Sequence, residues 1–157
     1  MTEDEALTIV AHQFPPVFLD VWNRRVTPFR TTLWARPHTF FLGPEALAEI
    51  APGLHGLCPL LEQNGEAIIG RLPDGRFVRY YYEDGSKGDA AIEVLGAGYQ
   101  EFVLTLLLEL ADSGLVEELA EFGTPLQFKY TAELIAALQQ STEDDIDALR
   151  RRVAAET

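Results

Sequence analysis

The chain has 157 residues, 47% of them hydrophobic, and its 25 acidic against 12 basic side chains leave a formal net charge of −13. One cysteine, Cys58, excludes an internal disulfide and a cysteine-rich zinc site, and the charge disfavours nucleic acid and anionic membranes as partners. The length predicts one domain over 1–157. The acidic start MTEDEALTIV predicts no signal peptide, and no apolar run approaches the roughly 20 residues of a membrane span, so a cytoplasmic location is the expectation.

Residues 3–13 place Leu7, Val10 and Ala11 near helical spacing and predict a short amphipathic helix that Pro15-Pro16 ends. Val17 to Trp22 fits either a short helix with Pro16 in its first turn or an extended segment; the face shared by Val17, Phe18, Val21 and Trp22 favours helix. Thr31 to Trp34 and Thr39 to Leu42 are β-branched and aromatic and predict strands, with Pro37 a break between them. A helix is predicted over Pro44 to Ala51, closed by Pro52-Gly53.

Leu57 to Leu61 predicts a strand in which Pro59 demands an edge or a bulge. Asn64-Gly65 is a tight-turn signal, Ala67 to Leu72 a strand, and Pro73-Asp74-Gly75 a second turn. Arg76 to Glu83 alternates, with Phe77, Arg79 and Tyr81 on one face and Val78, Tyr80 and Tyr82 on the other. Asp84 to Gly88 reads as a flexible loop and Ala90 to Leu95 as a further strand. Short connections make an antiparallel meander the simplest topology. A helix from Tyr99 to Asp112 carries the stripe Phe102, Val103, Leu106, Leu107 and Leu110, which must be buried. Leu115 to Phe122 predicts a helix and Leu126 to Tyr130 an extended stretch. Thr131 is expected to cap a helix to Gln139, and Ser141 or Thr142 to cap the last helix.

No constellation carries catalytic chemistry. His12, His38 and His55 are scattered and form no metal-gripping pair. Cys58 sits in an apolar strand without the base or helix N-terminus that would activate a thiol. Gly65, Gly70 and Gly75 match no phosphate loop and read as turn and strand glycines, Gly70 as a candidate bulge. The run Tyr80-Tyr81-Tyr82 suggests a base-stacking platform, but alternation splits it between two faces and the net charge opposes nucleic acid. The acids Glu83, Asp84, Asp89 and Glu93 near the hairpin suit a protein contact, or else an edge strand protected by charge.

Residues 14–112 resemble the SUKH superfamily, the Smi/Knr-like proteins. The resemblance rests on Phe14-Pro15-Pro16-Val17-Phe18, Phe41 to Leu47, Leu57-Cys58-Pro59-Leu60, Asn64-Gly65-Glu66, Ile68-Ile69-Gly70, Asp74-Gly75, Val78 to Tyr82 and Tyr99-Gln100-Glu101-Phe102-Val103. The Asn-Gly-Gly that often follows the family's early helix is absent after Trp22-Asn23. The resemblance implies an α+β fold in which an antiparallel sheet is packed by helices. With the meander this gives a sheet of about four to six strands, and residues 115–157 form a mainly helical C-terminal extension.

Many bacterial SUKH members are immunity proteins, so the resemblance implies a non-enzymatic protein that neutralises a cognate toxin, often a nuclease, by occlusion. A basic toxin domain is the complementary partner for this acidic chain. The candidate contact residues are Trp34, Tyr80, Tyr82, Glu83, Asp84 and Glu101, with no catalytic residue, metal or cofactor expected. The alternative is an adaptor module that self-associates, as a homodimer, or binds another protein through its C-terminal helices.

Overall fold

The computed structural model describes residues 2–25, 34–37, 43–140 and 143–156. The chain divides into two compact units, Met1–Val94 and Leu95–Thr157. The fold is α+β, with a five-stranded antiparallel sheet in the order β1-β2-β3-β4-β5. No described helix is long and apolar enough to cross a membrane.

In the first unit, α1 (Glu3–Gln13) starts at a capping box. Glu5 N–H donates to Thr2 Oγ1 at 3.3 Å and Thr2 N–H donates to Glu5 Oε2 at 2.7 Å, so two backbone donors at the helix start are satisfied reciprocally. The segment left open between helix and strand is α2 (Pro16–Trp22), with Pro16 in its first turn and Val17, Phe18, Val21 and Trp22 buried. Trp22 Nε1 donates to the Leu60 carbonyl at 3.1 Å and ties α2 to the sheet.

Strands β1 (Trp34–Ala35), β2 (Cys58–Gln63), β3 (Ala67–Arg71) and β4 (Phe77–Tyr81) pair in sequence order. Asn64 and Gly65 make the β2–β3 turn at φ of 53° and 73°, closed by Glu66 N–H donating to Gln63 O at 2.9 Å, in a three-residue connection, 64–66, between paired Gln63 and Ala67. The β3–β4 turn is closed by Gly75 N–H donating to Leu72 O at 3.0 Å, with Gly75 at φ 99° and Asp74 Oδ1 accepting from Arg76 N at 3.0 Å. Of the two options for Pro59, the bulge is the one observed: the β2–β3 register shifts between Pro59 and Leu61, and β2 lies inside the sheet.

Both faces of this sheet are covered. On one, Ile68, Val78 and Tyr80 pack with Leu47 and Ala51 of the α3 region (helix Gly43–Ile50) and Leu54 of the 3-10 turn Pro52–Leu54. On the other, Phe77 meets the Phe14 ring edge-on at 6.1 Å, and Arg71 Nη1 donates to Gln13 Oε1 at 2.9 Å. After β4 the chain does not loop freely over Asp84 to Gly88 as expected. It runs as 3-10 helical turns, Tyr82–Ala91, kinked at Gly88, and then enters β5 (Ile92–Gly96). The strands expected over Thr31–Trp34 and Thr39–Leu42 lie outside the described residues, save Trp34 itself.

The second unit is built on α4 (Tyr99–Asp112), α5 (Leu119–Gly123), α6 (Thr131–Gln140) and α7 (Glu143–Ala155). The predicted α4 stripe is buried, together with Leu104. α4 packs against α5 and α7, and α6 against α5 and α7. Three expectations are corrected here. Helix does not begin at Leu115: Gly114, at φ 87°, closes α4 as Leu115 N donates to Leu110 O and Gly114 N to Ala111 O, and helix resumes only at Leu119. Leu126 to Tyr130 is a turn rather than extended, with Gln127 at φ 53° and Gln100 bonded to both Gln127 O and Lys129 N. Thr131 opens α6 from inside, its hydroxyl donating to Phe128 O, so it is not the cap. The Ser141 or Thr142 cap lies outside the described residues.

Candidate protein-binding surface

The six residues singled out in the sequence separate by burial. Trp34 and Tyr80 are 5% and 1% exposed, so both are interior side chains and offer no surface to a partner. The physical reason is the covering of both sheet faces, which sequence alternation alone does not reveal. Tyr82 is half-buried; its hydroxyl donates to Glu62 Oε2 at 3.3 Å. Burial and the Glu62 carboxylate beside it raise the phenol's pKa far above its ordinary value. Glu83 is exposed. The Asp84 side chain lies outside the described part of the chain. Glu101 belongs to the second unit, where its Oε2 accepts from Ala97 N at 2.7 Å and secures the start of α4, whose N-cap is a glycine.

Around Tyr82 the first unit presents a mixed surface. Gly53 N donates to Asp89 Oδ1 at 2.7 Å, and Ile92 Cδ1 lies so near Gly53 that a Cβ there would approach within 2.9 Å. The end of α3 and the turn after it therefore sit beside the entry to β5. Ile50, 48% exposed at the end of α3, and Val94, 51% exposed on β5, are the exposed large hydrophobics of the described residues. Val94 shares its face of β5 with Ile92, two residues earlier. Glu49 adjoins Ile50, Glu93 adjoins Val94 and Asp89 is bonded to Gly53, while Glu83 and one ammonium, Lys87, are exposed on the 3-10 segment between β4 and β5. Glu93 also pairs with buried Arg79, whose Nη1 lies 3.2 Å from Glu93 Oε2 and whose guanidinium sits 5.8 Å from the Tyr81 ring centre.

The buried charges Glu62 and Arg79, 2% and 4% exposed, went unrecognised in the sequence. So did Ile50 and Val94 as surface residues. A further signal was open to reading and missed: from Gly88 to Phe128 the chain holds eight carboxylates and not one lysine, arginine or histidine. Such a run projects negative potential.

The concavities of the described residues include the following. One, of about 700 Å³, is lined by Asp4, Glu5 and Thr8 of α1, Glu45 of α3 and His55. The other, of about 450 Å³, lies between α6 and α7 over Ala136, Ala137, Ala148 and Leu149, with the Glu133–Arg152 ion pair at its rim. Neither contains a cysteine, serine or lysine beside a base. Cys58 is buried, which pushes its thiol up to about 11, so it is a protonated core residue at neutral pH. No group of three histidine, cysteine, aspartate or glutamate side chains is placed to hold a metal ion among the described residues. No family model, curated protein or solved structure matches the chain.

Proposed function

We propose that this chain is a non-enzymatic protein-binding domain that neutralises a basic partner by covering its surface, as immunity proteins of the SUKH type do for cognate toxins. The carrying observation is the surface where exposed Ile50 and Val94 lie with Glu49, Asp89 and Glu93. An apolar centre with a charged rim is the composition of a protein contact. The net charge of −13 adds steering toward a basic toxin domain, a nuclease being the natural case because its own substrate is an anion. In this reading the protein acts in the cytoplasm of the cell that makes the toxin.

The test is co-expression with the products of toxin genes that neighbour this gene, read as survival and as a co-purified complex. A stable complex and rescue support the reading; no complex and no rescue across the neighbouring candidates overturn it. A second reading, an adaptor that self-associates through its helices, draws on the groove between α6 and α7 and its floor of Ala136, Ala137, Ala148 and Leu149. Light scattering separates the two: that reading requires a dimer at high concentration.

A further inference from the structure

We propose that the outer edge of β5, over Ile92 to Val94, accepts an extended, lysine- or arginine-bearing segment of the partner as an added strand. This rests on the reading of the chain as a binder of a basic protein, and it names how that partner is held.

β5 is the last strand in the sheet order, so one of its sides has no neighbouring strand among the described residues. An edge of this kind is a template for another chain, and sheets normally blunt it with lysine, proline or a bulge. The stretch Ile92-Glu93-Val94 carries no lysine and no proline; its one charge, Glu93, is paired with Arg79, and Val94 is left 51% exposed. Ile92 lies against Gly53, in the turn that follows Ile50, so the apolar surface continues from the edge onto the end of α3. An added strand alternates its side chains between two faces. One set would cover Ile92, Val94 and Ile50, while backbone hydrogen bonds supply the rest of the affinity.

Charge decides the occupant. Glu83, Asp89 and Glu93 outnumber Lys87, the one basic side chain of residues 82–96, Glu49 adjoins Ile50, and Arg79 is buried beneath Glu93. A second copy pairing edge to edge would bring the same carboxylates against one another, which disfavours self-association. A basic strand meets them with opposite charge.

The experiment titrates the isotope-labelled protein with a peptide of alternating lysine and valine, beside a peptide of alternating glutamate and valine and a helical lysine–leucine peptide. The expected result is saturable amide shifts and slowed hydrogen exchange centred on Ile92 to Val94, for the lysine–valine peptide only, weakened by added salt. Val94→Lys should weaken binding at least about tenfold, because it sets like charge on the edge. Glu49→Lys, outside the sheet, is the companion variant should Val94→Lys lose its cooperative melt. Shifts centred elsewhere, equal binding of the glutamate peptide, tighter binding of the helical one, unchanged affinity in both variants, or a dimer abolished by Val94→Lys each overturn the proposal. The toxin assay separates the two claims. Peptide binding at β5 without rescue by the wild type leaves strand addition standing and the toxin reading fallen; equal rescue by wild type and variants does the reverse.

Discussion

Gly70→Ala tests whether close backbone approach, rather than turn geometry, fixes the centre of the sheet. Gly70 lies in β3 opposite Pro59, where the register to β2 shifts. A Cβ at this position would fall 2.5 Å from the Cys58 carbonyl oxygen and 2.9 Å from Leu57 Cδ1. The oxygen is backbone, and β2 is held between β1 and β3, so relief requires displacing a strand that carries fully buried Leu60 and Leu61. Overpacking of this kind costs about 1–3 kcal/mol. Alanine returns about 0.4–1 kcal/mol by restricting the unfolded chain. The net expectation is a loss of roughly 1–2 kcal/mol, read as a lower urea midpoint with an unchanged slope. Gly114→Ala is the comparison: a Cβ there meets nothing within 4 Å, but φ is 87°, so its cost of about 1–2 kcal/mol is purely conformational. A Gly70→Ala protein as stable as the wild type, with Gly114→Ala destabilised, would refute the argument from close approach.

Two further outcomes follow from titrating groups. Backbone and side-chain hydrogen bonds with Thr2 hold the Glu5 carboxyl below the usual carboxylate range. Its folded pKa is thus depressed, and the stabilisation exists above the unfolded value of about 4.3 and is lost as pH falls through the folded one. Glu5→Gln should lower the melting temperature at neutral pH, and the gap should close in acid; a gap that persists at low pH contradicts the capping-box account. For Cys58, a thiol raised from 9.0 to about 11 holds about a hundredfold less thiolate at neutral pH. Iodoacetamide should therefore modify native protein at least that much more slowly than protein in urea, and equal rates would show the thiol to be accessible and ionised.

The parts of the fold legible in the sequence are those with a local cause. Asn64-Gly65 and Pro73-Asp74-Gly75 announce hairpins because positive φ is cheap only for a few residues, and both turns are where they were expected. α4 is legible because its apolar positions form one stripe over fourteen residues. What was illegible depends on distant partners. The 124–130 turn is held by Gln100, far back in the chain, so its residues look extended when read alone. Arg79 and Glu62 look like surface charges until Glu93 and Tyr82 are placed beside them. Trp34 and Tyr80 read as contact residues in the sequence because alternation separates two faces without saying that both are covered. Val94 reads as a strand residue, as it is, but no local signal tells which strand ends a sheet.

The covering of both faces bears directly on where a partner can bind the first unit. α1 and α2 occupy one side of the β2–β4 sheet and α3 with the following turn the other, so broad sheet faces are spent on the core. The exposed apolar side chains lie off those faces, Val94 on the last strand and Ile50 at the end of α3. Elsewhere the acidic run extracts a cost in stability. Glu109 and Asp112 occupy the last turn of α4, where no basic residue is present and where the helix dipole disfavours acids by about 0.3–1 kcal/mol each. For folding alone, lysine at either place would serve better. A chain that bears this penalty over 88–128, while keeping basic residues out of the whole stretch, maintains a one-signed field in place of the last increment of stability. Fields of one sign raise encounter rates with oppositely charged partners and repel like ones. Such a field is what the proposed binding of a basic partner would draw on.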